Sequence, residues 1–259
     1  MRIIHKSADE FHYDQESESY DLFNTNNTLI INSVIERILL KHKIQSVLDI
    51  TCGTGLQLFY LLDKGFKVEG LDINQKMLTI AKEKAQAKHI DIQLIKGDIR
   101  TSKVGKFDAV ISIFNAIGHL TKEDFIKAIG NIADNLNDNG LYIFDIFNLN
   151  YLLYKDNITK LTIDWQKKEG DTVFREIQYS TINKEGILAS YDIYHKEKKD
   201  DQPEIMTAFQ TLQVYSSYQL KEILDKNGFD VIELFDINGE KFNDVQSERI
   251  LAVAKKRAK

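Results

Sequence analysis

The chain has 259 residues, 43% hydrophobic and 28% charged, enough for a globular protein with a large buried core. Its formal net charge of -5 gives none of the basic footprint that nucleic-acid binding needs, and no apolar run reaches membrane-spanning length. Met1-Arg2-Ile3-Ile4-His5-Lys6 lacks the apolar core of a signal peptide, Cys52 is the only cysteine, and the six histidines show no metal-ligand spacing. No metal, no membrane, no nucleic acid and a cytoplasmic setting are therefore expected.

Residues 1–25 are polar with interspersed aromatics, Phe11, Tyr13, Tyr20 and Phe23. Asn26 or Asn27 can cap a helix running to about Lys43, on which Leu29, Ile30, Val34, Ile38 and Leu39 recur near the 3.6 period. A βα alternation follows: strand 46–50, helix 56–64, strand 67–71, helix 75–88 and strand 90–95. Strand 107–114 is almost continuously apolar, as burial on both faces requires. Helix 122–136, a turn at Asn137-Asp138-Asn139-Gly140 and strand 141–146 complete five units. Beyond Asn150 the pattern changes to β-branched and aromatic runs at 161–168, 172–180, 187–195 and 205–215, separated by turn and charged segments. Helix 217–227 ends at Gly228, and strands 229–235 and 248–254 close the chain, the last without an intervening helix and so antiparallel.

The fold expected is α/β. It is a Rossmann-like, doubly wound, mostly parallel seven-stranded sheet with its last strand antiparallel, plus an antiparallel β insertion after the fifth strand. The segments are 1–45, an N-terminal segment and helix; 46–150, the core; 151–215, the insertion; and 216–259, the C-terminal helix and final strand pair.

The most informative stretch is Val47-Leu48-Asp49-Ile50-Thr51-Cys52-Gly53-Thr54-Gly55, followed by Gly70-Leu71-Asp72. Two apolar runs each end in an acid, and the first enters a glycine-punctuated turn. In parallel sheets, nucleotide-like ligands bind at that turn, and an acid ending the second strand accepts both hydroxyls of a ribose. Gly53 and Gly55 are followed by Leu56, Gln57 and Leu58, so the third glycine of the dinucleotide fingerprint is missing. Asp49 would oppose a pyrophosphate at close range. It favours a cation, and S-adenosylmethionine (SAM) carries both an ammonium and a sulfonium. An acid beside a glycine turn can equally serve as a local cap; the pair Asp49 and Asp72 shifts the balance toward a ligand site. Cys52, inside the loop, reads as a small buried filler.

Residues 47–55, 70–72, 97–99, 107–120 and 140–145 resemble, in order and spacing, the class I SAM-dependent methyltransferases. The phrases Gly65-Phe66-Lys67-Val68, Asp72-Ile73-Asn74-Gln75-Lys76-Met77-Leu78 and Asn115-Ala116-Ile117-Gly118-His119-Leu120 look most like glycine and sarcosine N-methyltransferases and amino-sugar N,N-dimethyltransferases. The resemblance implies that Asp49, Thr51, Gly53 and Gly55 line the methionine part of SAM and that Asp72 holds the ribose. It implies that Ile73 and Met77 flank the adenine and that Asp98 with Ile99 completes its pocket. Phe114, Asn115 and His119 would lie beside the transferring methyl, and Tyr13 and Tyr20 would belong to an N-terminal lid. His119, Asn115 and Tyr20 are thereby the candidate catalytic residues.

Two departures stand out. Thr51 replaces the usual glycine or alanine, and its hydroxyl could bond the SAM carboxylate. Phe147 occupies the place of a substrate-binding arginine, which argues against glycine as acceptor because a buried carboxylate needs a cation. Trp165, Tyr179, Tyr191 and Tyr194 of the insertion line either an acceptor pocket or its own core.

The expected function is methyl transfer from SAM to a small-molecule acceptor, most plausibly an amine nitrogen, with His119 or a lid tyrosine orienting it or taking its proton. O-methylation of a small hydroxyl compound and a non-catalytic SAM-binding module are the alternatives. The sequence leaves the oligomeric state open.

Overall fold

The computed structural model describes residues 3–14, 17, 20–161, 163–199 and 201–258. The apolar runs of the first half form β1 (Ser46–Asp49), β2 (Lys67–Asp72), β3 (Leu94–Lys96), β4 (Phe107–Ser112) and β5 (Leu136–Phe147). Between and before them lie α1 (Tyr20–Lys41), α2 (Leu56–Asp63), α3 (Gln75–Ala87) and α4 (Lys122–Asn135). The second half holds α5 (Leu149–Leu153), β6 (Ile163–Glu169), β7 (Thr172–Ile182), β8 (Ile187–Lys198), β9 (Glu204–Gln213), α6 (Ser217–Lys226), β10 (Phe229–Phe235) and β11 (Arg249–Lys256).

Seven strands form one sheet in the order β10-β11-β5-β4-β1-β2-β3, and β6-β7-β8-β9 form a second. Strands β1 to β5 are mutually parallel, while β11 runs antiparallel to both β5 and β10. The expected fold is borne out, including the antiparallel last strand and the four-stranded antiparallel insertion. Because β1 pairs with β2 on one side and β4 on the other, the winding direction reverses between them. The carboxyl ends of β1 and β4 therefore diverge around a crevice.

Alternation along the central strands sends side chains into two cores. Leu48, Val110, Tyr142 and Phe144 pack against Phe125, Ile129, Leu220 and Leu224 on one face. On the other face, Val47, Ala109, Ile111 and Ile143 pack against Ile31, Ile35, Leu58 and Leu78. Gly70 on β2 is required by packing: a Cβ there would come within 2.6 Å of Leu58 and 2.9 Å of both Cys52 Sγ and Leu94. Cys52 is a buried filler, as expected.

Three boundaries differ from expectation. Helix α1 begins at Tyr20, six residues or more before the expected cap, because Asp21 is anchored from outside the helix by the Thr54 hydroxyl at 2.6 Å and by Lys84. Strand β3 is only three residues long, as its outer edge lacks a partner strand. The expected turn at residues 137–140 lies inside β5. Phe107 pairs with Leu136 and Ala109 with Leu141, so those four residues bulge out opposite Asp108, which accepts the Asn137 amide at 2.9 Å. Asn139, at φ 62, supplies the left-handed residue such a bulge needs.

Candidate active site

Asp49 is the last residue of β1 and is 1% exposed. Its Oδ1 accepts the Thr51 N–H at 3.4 Å, while its Oδ2 is buried with no partner. Burial, reinforced by the charge of Asp72, pushes its carboxyl up to about 8. Asp72, ending β2, is also raised by burial, though it accepts the Gly53 and Asn74 N–H groups at 2.8 Å each. Two buried carboxylates with an open lone pair between them call for positive charge or hydroxyl donors. Gly53 (φ +51) and Gly55 (φ +89) shape the intervening loop, and Gly55 is the N-cap of α2. A side chain at Gly55 would also strike the Phe59 ring at 2.6 Å.

Tyr20, Thr51, Gly53, Asp72, Ile73, Met77, Asp98, Ile99, Phe114 and His119 all line one cleft. Asp49, Gly55 and Asn115 sit behind this lining. The Thr51 hydroxyl donates to Ser112 Oγ at 3.2 Å. Asp98 is held by Arg100, which also pairs with Asp124. Asn115 clamps the end of β4 to β5. Its Oδ1 accepts the Phe147 N–H at 2.8 Å, and Asp145 Oδ1 accepts the Phe114 N–H at 2.6 Å. Phe114 and Asn115 both have positive φ, 65° and 58°, a strained turn that these two bonds hold in place and that presents the Phe114 ring to the cleft.

The N-terminal segment covers the cleft. His5 bonds Thr211 and the Leu120 carbonyl, the Ala8 N–H donates to the His119 carbonyl, and the Asn74 amide donates to the Glu10 carbonyl and to Asp14. Under this cover Tyr13 Oη lies 2.6 Å from His119 Nε2, and the Tyr13 ring meets Tyr20 and His119 edge-on. His119 Nδ1 is buried without a partner, and burial, with His12 and His5 nearby, pushes the imidazole down to about 3. His119 is therefore neutral across the physiological range. Tyr20 is pushed well above the usual phenol range by burial and by Asp72, and stays protonated.

Sequence reasoning missed His12, Arg100 and Arg249. His12 lines the cleft, with its ring 4.8 Å from that of His119. Arg249, first residue of β11, pairs with Phe147 in register and forms an ion pair with the fully buried Asp145. Its guanidinium lies 5.2 Å from the Phe147 ring and 5.8 Å from Phe114. Arg249 thus reaches Phe147 from the neighbouring strand with its charge met by Asp145, a placement that only strand pairing reveals. Tyr179 and Tyr191, weighed as pocket residues, are exposed on the outer face of the insertion.

Residues 47–140 match the model of the methyltransferase domain. A putative methyltransferase of Geobacillus sp. (strain WCH70), GWCH70_2453, is 24% identical over 81% of this chain and 84% of its own. The dTDP-3-amino-3,4,6-trideoxy-alpha-D-glucopyranose N,N-dimethyltransferase of Streptomyces venezuelae is 33% identical over 39% of this chain, which spans only 41% of that relative. The fold superposes on a crystal structure of an S-adenosylmethionine-dependent methyltransferase from Clostridium acetobutylicum ATCC 824 with a TM-score of 0.77, 17% identity, and coverage of 95% and 99% of the two chains. The domain match, the switch-point cleft and its paired acids define a SAM-dependent methyltransferase. This chain is such an enzyme, and its methyltransferase domain is similar in sequence to that of an amino-sugar N,N-dimethyltransferase. Among the described residues, no helix is long and apolar enough to cross a membrane.

Proposed function

We propose that the enzyme methylates the nitrogen of a small-molecule amine. SAM, when bound, supplies an activated sulfonium methyl. Asp49 with Thr51 and Gly53 would hold its methionine part, Asp72 its ribose, and Ile73, Met77, Asp98 and Ile99 its adenine. The orphaned, buried Asp49 Oδ2 is what makes this site fit a cationic cofactor. The N-terminal segment and the insertion exclude water and fix the acceptor against the methyl; positioning of this kind supplies on the order of 7–11 kcal/mol.

His119 carries the choice of acceptor. An imidazole held at about 3 accepts a hydrogen bond but takes up protons poorly. A hydroxyl acceptor needs a base in the transition state, whereas an amine brings its own lone pair. His119 and Tyr13 therefore orient the neutral amine, which loses its proton after transfer. The dimethyltransferase relative supports the same choice. The acidic chain and the single buried cysteine fit a small acceptor in the cytoplasm rather than nucleic acid.

The test is S-adenosylhomocysteine release with matched amines and alcohols across pH. Turnover with amines only, rising with pH as the acceptor amine itself deprotonates and keeping that profile in His119→Gln at reduced rate, is expected. Methylation of the alcohols but not of the amines would refute the reading.

A further inference from the structure

The middle of the insertion sheet has its polarity reversed, although Leu188 and Leu212 at one end of the same inward face are buried apolar residues. Cross-strand register places Tyr179, Tyr191 and Phe209 in one row, with Ile193 and Ile205 on the same face. All five are exposed, by 37% to 64%. The opposite face carries Glu176, Gln178, Ser190, Asp192 and Gln210, and of these Glu176, Ser190 and Asp192 are 7%, 5% and 1% exposed. An antiparallel sheet ordinarily turns its apolar face inward and its polar face to water. Burying carboxylates instead costs free energy unless donors meet them.

Asp192 is incompletely met. Its Oδ1 accepts the Gln178 amide at 2.5 Å, while its Oδ2 is buried without a partner, and burial raises its carboxyl. Gln210 is in side-chain hydrogen-bonding contact with both Asp192 and His12, so the carboxyl has two amide neighbours and only its Oδ2 stays open. His12 lines the cofactor cleft and packs on His119. The polar face is thus continuous, through one glutamine and one histidine, with the place where the methyl is transferred.

We propose that Asp192, flanked by Gln178 and Gln210, is a recognition subsite for the end of the acceptor remote from the reacting nitrogen. The subsite takes a donor-rich group, either a second ammonium or a cluster of hydroxyls. This rests on the reading of the enzyme as an amine methyltransferase and adds which amines it selects. An alkylamine would leave the open oxygen of Asp192 unsatisfied, and an unsatisfied buried acceptor is penalised where a satisfied one is not.

Binding to the enzyme loaded with S-adenosylhomocysteine is measured for propylamine, which has no distal donor, putrescine, which has a second ammonium, and glucosamine, which has hydroxyls. Putrescine or glucosamine should bind at least about tenfold tighter than propylamine. Asp192→Asn should cut a preference for putrescine to within about threefold but spare one for glucosamine, since an amide oxygen still accepts from hydroxyls. Asp192→Leu should abolish either preference, with S-adenosylhomocysteine affinity unchanged as the control for folding. Equal affinity for all three compounds, including no measurable binding, overturns the inference, as does a preference that survives Asp192→Leu. If the wild type methylates amines without preference, only this inference fails; if it methylates alcohols and not amines, the underlying reading fails first.

Discussion

At Asp49 folding stability and the proposed cofactor binding pull in opposite directions. An unfolded carboxyl ionises near 4, whereas in the fold this one ionises at about 8. Between those values the folded state holds the proton that the unfolded state has released, so folding stability falls as pH rises from about 4 to about 8. Asp49→Asn should remove that slope and stabilise the ligand-free protein at neutral pH by on the order of a few kcal/mol, seen as a higher urea midpoint. The same substitution should weaken SAM binding about a hundredfold or more by calorimetry, because the carboxylate that meets the cation is gone. In the wild type, SAM affinity should climb with pH up to about 8 and then level off; a pH-independent affinity would refute the assignment.

At the scale of elements, the site depends on joints between strands and helices. Asn74 caps α3 by accepting the Met77 N–H at 2.9 Å and, through its amide, holds the Glu10 carbonyl and Asp14 of the N-terminal segment. Asn74→Ala should cost about 1 kcal/mol as a lost cap. It should also raise the apparent KM for SAM several-fold with little change in kcat, since the cover is unfastened and the chemistry untouched. The Asp145–Arg249 pair joins β5 to β11 and supports the Phe114 turn. Asp145→Ala should cost about 3–5 kcal/mol by leaving Arg249 buried without its counter-charge, and adding Arg249→Met should restore part of that in denaturant titration.

For the whole molecule, the two sheets differ in how they are held. The seven-stranded sheet is sandwiched between two large apolar cores. The insertion's apolar anchorage is a small cluster, with Leu188, Leu212 and Val214 packed with Leu149, Tyr151 and Leu152, supplemented by polar contacts such as His5 with Thr211. Amides at the far ends of β6 to β9 should therefore exchange with deuterium faster than those of β1, β4 and β5. Equal protection across both sheets would contradict this division.

Strand positions, their order along the chain and the buried acids that end β1 and β2 were legible in the sequence because they follow from short-range physics: alternation, apolar runs, a glycine turn and charge at strand ends. What the sequence could not convey is pairing across long separations. Arg249 meets Phe147 and Asp145 only because β11 lies beside β5, His12 meets His119 only because the N-terminal segment folds over the cleft, and the insertion's inward polar face emerges only from cross-strand register. Local pattern determined which elements form and where a cation would be welcome. Tertiary packing decided which side chains surround it, because contacts between strands and segments distant in sequence leave no period in the chain.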